Sequence, residues 1–172
     1  KKAFKYAEKN NVIIVKSAGN DNRNLNDHLN YPNSSKKDSL HNFLRVGAST
    51  YYLNEKLKAN FSNYGNLEVD IFTPGFKIYT TNYRMEKSFE SGTSLATAIT
   101  SSLSALLLSY YPELTVKDLK DVILLSGKEY DIDIRISSST ALFKKMENFK
   151  HLSKSGKIIN AYEAFKLANK KH

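Results

Sequence analysis

The chain has 172 residues, 41% of them apolar, a net charge of +9 and no cysteine. This length and apolar share suit one domain over residues 1–172 with a sizeable core, while the missing cysteines exclude a disulfide framework and a thiolate metal site. No run approaches the roughly 18 uninterrupted apolar residues of a membrane span, and the lysine clusters (Lys144-Lys145, residues 150–157, Lys170-Lys171) lack the interleaved aromatics of a base-stacking platform, so neither a membrane span nor a nucleic-acid partner is expected.

In chain order, residues 1–10 (KKAFKYAEKN) place Ala3, Phe4 and Ala7 on one face of a short helix. Residues 12–15 (VIIV) are a continuous β-branched run of the kind buried on both faces of a parallel sheet, and they lead into Ser17-Ala18-Gly19-Asn20. Residues 21–39, rich in Asn, Asp and Ser, read as a long surface loop. Residues 43–48 (FLRVGA) predict a second strand. Residues 69–72 and 77–80, bracketing a Pro74-Gly75 turn, predict a third strand region.

Residues 95–110 are apolar nearly all round, with Ala96, Ala98, Ser101, Ser102 and Ser104 as small members, and predict a buried helix ended by Pro112. Thr115 with Asp118 is a start signal for a further helix through Leu125, stopped by Gly127. Residues 131–136 (DIDIRI) alternate strictly, as a half-buried edge strand does. A last helix runs from its cap, Asn160, to Lys170.

The stretch SGTSLATA, residues 91–98, sets Ser94 where the buried helix begins. A hydroxyl there serves either as an N-cap, a role open to Ser91 and Thr93 as well, or as a nucleophile beside the unpaired amides and positive dipole end of the helix. Asn20, read alone, is a turn asparagine after glycine.

Taken together, the segments resemble the C-terminal half of the subtilisin-like serine protease domain. VIIVKSAGN (12–20) is similar to the family's strand ending in the oxyanion asparagine, and Tyr31-Pro32 with residues 43–49 to its next strand. KANFSNYG (58–65) and VDIFTPG (69–75) resemble the segment leading toward the nucleophile, SGTSLAT (91–97) the nucleophile motif, and GKIINAYEA (156–164) the opening of the closing helix. Residues 137–155 match least. The resemblance implies an incomplete three-layer α/β fold, a mainly parallel sheet with helices on both faces. It further implies a serine endopeptidase that hydrolyses peptide bonds through an acyl-enzyme on Ser94. Asn20 would donate its side-chain amide to the oxyanion, and the Ala18-Gly19 backbone would line the pocket for the substrate side chain. The substrate would be a peptide or protein, no cofactor is required, and family habit implies a secreted or cell-envelope location. The family usually has a proline where Ala98 stands; a first-turn proline is dispensable, because the N–H it lacks would be unpaired in any case.

The family's triad runs Asp, His, Ser along the chain. Here only His28 and His41 precede Ser94, and both follow the oxyanion strand rather than precede it. The resemblance therefore implies that the catalytic Asp and His belong to an N-terminal half outside this chain. A catalytically inactive subtilisin-like module that binds peptides or partners is the alternative; an upstream Asp-Thr/Ser-Gly segment and a His-Gly-Thr segment would favour the enzyme. A generic doubly wound ligand-binding domain would carry a Gly-rich phosphate loop, which is missing. Glu68 and Asp70, two apart on a strand, share a face, and similar positions in some relatives help to hold a weak calcium. Two carboxylates fall short of the 6 to 8 oxygens calcium takes, so solvated surface acids are expected.

Overall fold

The fold is drawn from a computed structural model, which describes residues 2–28, 30–32, 40–136 and 145–170. Parallel pairing organises it. After helix α1 (Lys2–Lys9), strands β1 (Ile14–Ser17), β2 (Phe43–Ser49) and β3 (Ile71–Pro74) run side by side in one direction, with Ile14 opposite Phe43 and Val46 opposite Ile71. All seven residues of β2 are buried, as a central strand covered on both faces must be.

Beyond β3 the chain adds an antiparallel hairpin, β4 (Ile78–Thr81) with β5 (Lys87–Glu90), then helices α2 (Thr93–Tyr110) and α3 (Val116–Ser126). The short strand β6 (Lys128–Glu129) follows, then a second hairpin of β7 (Asp133–Ile136) with β8 (Lys145–Asn148), strand β9 (Lys157–Ile158) and helix α4 (Ala161–Asn169). β9 pairs in parallel with β3, and β6 pairs antiparallel with β9, so the sheet runs β1-β2-β3-β9-β6.

Period-two alternation sends Leu44, Val46, Ala48 and Ile71 to one face, where they pack with Ala96, Leu103 and Leu107 of α2, Leu119 and Ile123 of α3, and Ala164 of α4. Thr73 and Thr100 share a 2.9 Å hydroxyl hydrogen bond that ties β3 to α2 within this layer. On the opposite face Phe72 packs on Phe149, with Ile134, Ile136 and Leu152 around it. Gly47 lies opposite Phe72, and a Cβ there would stand 2.5 Å from the Phe72 ring. The bare backbone is thus what admits the aromatic. α1 leans on this second face through Phe4, whose ring lies 5.6 Å from that of Phe43.

The capping chemistry matches the sequence. Thr115 accepts from the Asp118 amide at the start of α3, and Asn160 from the Glu163 amide at the start of α4. Elsewhere tertiary context overrides local pattern. The first strand starts at Ile14 rather than Val12, which is 50% exposed, and β1 is half-buried because it is the outer strand of the sheet. Residues 77–80 do not prolong the third strand; the chain turns at Gly75 into β4 of a separate hairpin. Of the alternating residues 131–136, Asp133–Ile136 pair with β8 instead of edging the main sheet, although Ile134 and Ile136 are buried as their spacing predicts. Of the long loop 21–39, residues 29 and 33–39 lie outside the described residues, as do Lys144 and His172.

Helix α2 is buried on one face only. Thr93, Ala96, Thr100, Leu103, Ser104 and Leu107 face the sheet, while a second stripe, Ala98, Ser101, Ser102, Ala105 and Leu106, faces outward. Leu107 is fully buried and Leu106 49% exposed. Leu107→Ala should therefore destabilise the chain by about 2–5 kcal/mol and Leu106→Ala by less than about 1 kcal/mol, measured by urea denaturation of the chain alone. Equal losses would contradict this placement of the helix.

Candidate active site

The parallel register brings the C-terminal ends of β1, β2 and β3 to one edge, and α2 begins there. Past β1 the ladder continues for one more bond, Ala18 N–H to Val46 O at 2.9 Å. The chain then turns at Gly19, whose φ of +101° is a conformation that favours glycine. At the end of β3, Gly75 donates to Ser49 O and accepts from Gly92 N–H at 2.8 Å. A Cβ on Gly75 would lie 2.8 Å from both Gly92 O and Ala48 Cβ, so glycine here lets the start of α2 sit against the strand ends.

Thr93, the first residue of α2, locks the helix to the β1 exit. Its N–H and its hydroxyl both donate to Asn20 Oδ1, at 3.0 and 2.8 Å, and its Oγ1 accepts from Gly19 N–H at 3.2 Å. With the Asn20 carbonyl engaged twice, the orientation of the amide is set and its NH2 group points elsewhere.

An α-helix leaves its first four N–H groups without intrahelical partners. In α2, Thr93 N–H goes to Asn20, and Leu95 and Ala96 N–H go to Gly92 O at 3.2 and 3.4 Å. Ser94 N–H has no acceptor among the described residues. A Cβ built on Gly92 would stand 3.6 Å from Asn20 Nδ2 and 3.8 Å from Ser94 N, so both donors border the same small space.

Ser94 itself is exposed, and among the described residues its hydroxyl has no hydrogen-bond partner. It does not cap the helix: Gly92 holds the N-cap position, and no side chain caps there. Ser91 does not cap it either, since its Oγ accepts from Lys77 N–H and braces the hairpin.

Ala18 is buried. Its carbonyl accepts from Asn63 Nδ2 at 3.0 Å and Asn30 Nδ2 at 3.1 Å, while Gly19 O accepts from Asn63 N–H. Both residues precede Asn20 with backbone groups committed internally. No histidine among the described residues is hydrogen-bonded to Ser94. His41 lies ahead of β2, at the opposite end of the parallel strands, with its N–H on Glu8; His28 is exposed in the loop after β1; His151 pairs with Glu147 on an exposed surface.

Glu68 and Asp70 are not solvated surface acids. Glu68 takes the buried Arg45 guanidinium, which also donates to the carbonyls of Asn30 and Pro32. Asp70 is buried, accepting from Arg45 N–H at 2.7 Å and from Lys154 Nζ at 3.0 Å. Protein cations occupy both carboxylates, and no group of three or more His, Asp or Glu side chains gathers among the described residues.

Reading the sequence for a nucleophile and an oxyanion donor missed the support beneath them. Thr93 was visible only as a possible cap, and KANFSNYG only as a matching motif. Within that motif Lys58 is buried, its ammonium donating to Asn22 Oδ1, Ala59 O and Ser62 O at 2.9, 2.9 and 3.0 Å. All three acceptors are neutral. Aromatic spacing and charge pattern carry no sign of such a cage, because two of its acceptors are backbone carbonyls.

The architecture is that of the subtilisin-like proteases. The A-subunit of an AB5 toxin from E. coli superposes with a TM-score of 0.73 at 25% identity, covering 97% of this chain and 54% of that one. The chain belongs to the subtilase family, whose profile matches residues 1–150. It is 38% identical over 134 residues to isp6, a subtilase-type proteinase of the sexual differentiation process in Schizosaccharomyces pombe, covering 76% of this chain and 26% of that protein. It is 35% identical over 113 residues to the cell wall-associated protease of Bacillus subtilis, covering 66% of this chain and 11% of that protein. The chain thus spans about half of the matched structure and about a quarter or less of these two relatives.

Burial pushes the Lys58 ammonium down to about 7 from its ordinary 10.5. The folded chain therefore binds fewer protons than the unfolded one between about pH 7 and pH 10, and its stability rises with pH across that window. Lys58→Met removes this contribution. Urea denaturation should show wild type gaining on the variant from about pH 7 to about pH 9.5; a pH-independent difference would count against the lowered pKa of Lys58.

Proposed function

We propose that this chain supplies the nucleophile and the oxyanion donors of a serine endopeptidase. The carrying observation is the pair of N–H donors unclaimed among the described residues, Ser94 N–H and Asn20 Nδ2, bordering one space beside an exposed Ser94 hydroxyl that has no partner among those residues. Ser94 Oγ attacks the scissile carbonyl carbon and loses its proton to a histidine base. The carbonyl oxygen, now an oxyanion, is met by donors fixed before the reaction begins. Collapse expels the amine, which takes the proton back from the histidine, and water then releases the acyl group from Ser94. Gly19 borders the pocket for the substrate side chain and the buried Ala18 stands behind it, with their polar groups satisfied internally.

The aspartate and histidine come from an N-terminal half outside residues 1–172. Two surfaces support this reading. β1 has no neighbour on its outer side among the described residues, and the outward stripe of α2 from Ala98 to Leu106 carries small and apolar residues of the kind that admit close packing. Burial of both by the rest of the domain completes the sheet and the central helix. By likeness to the cell wall-associated relative, the protein works outside the cytoplasm or in the envelope.

In the full-length protein, Ser94→Ala should remove nearly all peptidase activity; activity near wild type would end the assignment. A fluorophosphonate probe, which requires an activated serine, should label Ser94 in the full-length protein and not in the chain alone. Labelling of the isolated chain would mean that a base lies within these residues.

Asn20→Ala should lower kcat by about 10²- to 10³-fold with little change in KM, the loss that removing one oxyanion donor causes in subtilisin. A rise in KM at constant kcat would assign Asn20 to ground-state binding instead.

A further inference from the structure

Between β1 and the long loop, the chain from Ala18 to Arg23 forms no regular structure, yet it must hold Asn20 to within a fraction of an ångström. Thr93 grips the Asn20 amide from the helix side. From the other side five hydrogen bonds come from one buried residue, Asn63, beside single bonds from Asn30 Nδ2 to Ala18 O, from Asn22 N–H to Phe61 O, from Tyr64 N–H to Arg23 O and from the Lys58 ammonium to Asn22 Oδ1. Its Oδ1 accepts from Asp21 N–H at 3.1 Å and from Arg23 N–H at 2.8 Å. Its Nδ2 donates to Ala18 O at 3.0 Å and to Asp21 Oδ2 at 3.2 Å, and its backbone N–H donates to Gly19 O at 3.0 Å. These bonds fall on both sides of Asn20 and leave Asn20 itself untouched.

Gly19 carries a second, independent mark of this contact. A Cβ there would lie 2.6 Å from Asn63 Nδ2, so the glycine leaves the room that Asn63 fills. The Asn63 side chain has one carbonyl and one amide group, and all of its donors and both lone pairs are in use. An aspartate loses the donors, and a leucine of similar volume loses everything.

We propose that Asn63 is the positioning residue for the oxyanion donor: it fixes the backbone on either side of Asn20, so that the amide gripped by Thr93 meets the oxyanion at the correct distance. This rests on the reading of Asn20 as an oxyanion donor. Asn63 touches neither substrate nor reacting atoms; it acts only through Asn20. A misplacement of about 1 Å in such a donor costs up to about 10²-fold in rate.

The test is a double-mutant cycle in the full-length protease. Asn63→Ala should lower kcat by roughly 10- to 100-fold with KM within about 3-fold, and should cost less than about 3-fold when Asn20 is already alanine. An equal loss in both backgrounds, or a loss carried by KM, would overturn the proposal, because a general structural role is indifferent to Asn20. If Asn20→Ala alone leaves kcat unchanged, the oxyanion reading fails, and with it the proposal's catalytic consequence; the clamp itself is read separately by exchange. Asn63→Ser, which keeps a small polar group in the gap, serves the same cycle if the alanine variant does not fold. Amide hydrogen exchange on the unmutated protein needs no variant: Asp21 and Arg23 should exchange as slowly as the amides of β2. Fast exchange there would show that Asn63 holds nothing.

Discussion

The bonds from Thr93 to Asn20 are the constraint around which the site is arranged. They join the first residue of a helix to the first residues beyond a strand, 73 positions earlier in the chain. Such a contact forms only if the strand, its two parallel neighbours and the helix are all correctly placed. Local propensity cannot produce it, and the close approach of Gly75 to the Gly92 carbonyl is what allows it. A threonine suits the position because one residue offers a backbone donor, a hydroxyl donor and a hydroxyl acceptor within a single turn. The serine that follows is left with its amide and hydroxyl uncommitted among the described residues.

Around this point the polar interior is built from cations held by neutral oxygens as much as by carboxylates. Arg45 reaches two backbone carbonyls besides Glu68, and Lys58 finds only carbonyl-type acceptors. Such groups have little slack. Burial charges a heavy desolvation penalty to the ionised form, and fixed dipoles offset it only while every acceptor stays in place. Both side chains thereby pin loops on one face of the sheet: Arg45 the segment around Asn30 and Pro32, Lys58 the turn at Asn22.

Much of this was legible in the sequence where chemistry is local. The caps at Thr115 and Asn160, the strand at residues 43–48 and the alternation of residues 131–136 all follow from side-chain type and spacing. Ser94, Asn20, Ala18 and Gly19 were legible through motifs, and they do converge on one edge. Four things were not. A β-branched run reads alike in a central and an outer strand, so the exposed flank of β1 was invisible. An apolar helix with small residues reads as buried whether or not its second face is covered. Glu68 and Asp70 looked like surface acids because their cations come from Arg45 and Lys154, far away in sequence. Asn63 was hidden because an asparagine before Tyr-Gly has the appearance of an ordinary turn residue.

The side of β1 that has no neighbour among the described residues also has a direction. Hydrogen-bonding groups on a strand edge accept a parallel or an antiparallel neighbour with different spacing, and here the sheet from β1 to β3 is uniformly parallel. A strand that extends that pattern must run the same way as β1, with its C-terminal end on the side of Ser17. Whatever residues follow such a strand emerge beside Gly19 and Asn20, on the edge where Ser94 sits. The sheet therefore acts as a vector: its open flank determines the end at which an added segment delivers its chemistry, before any side chain of that segment is specified.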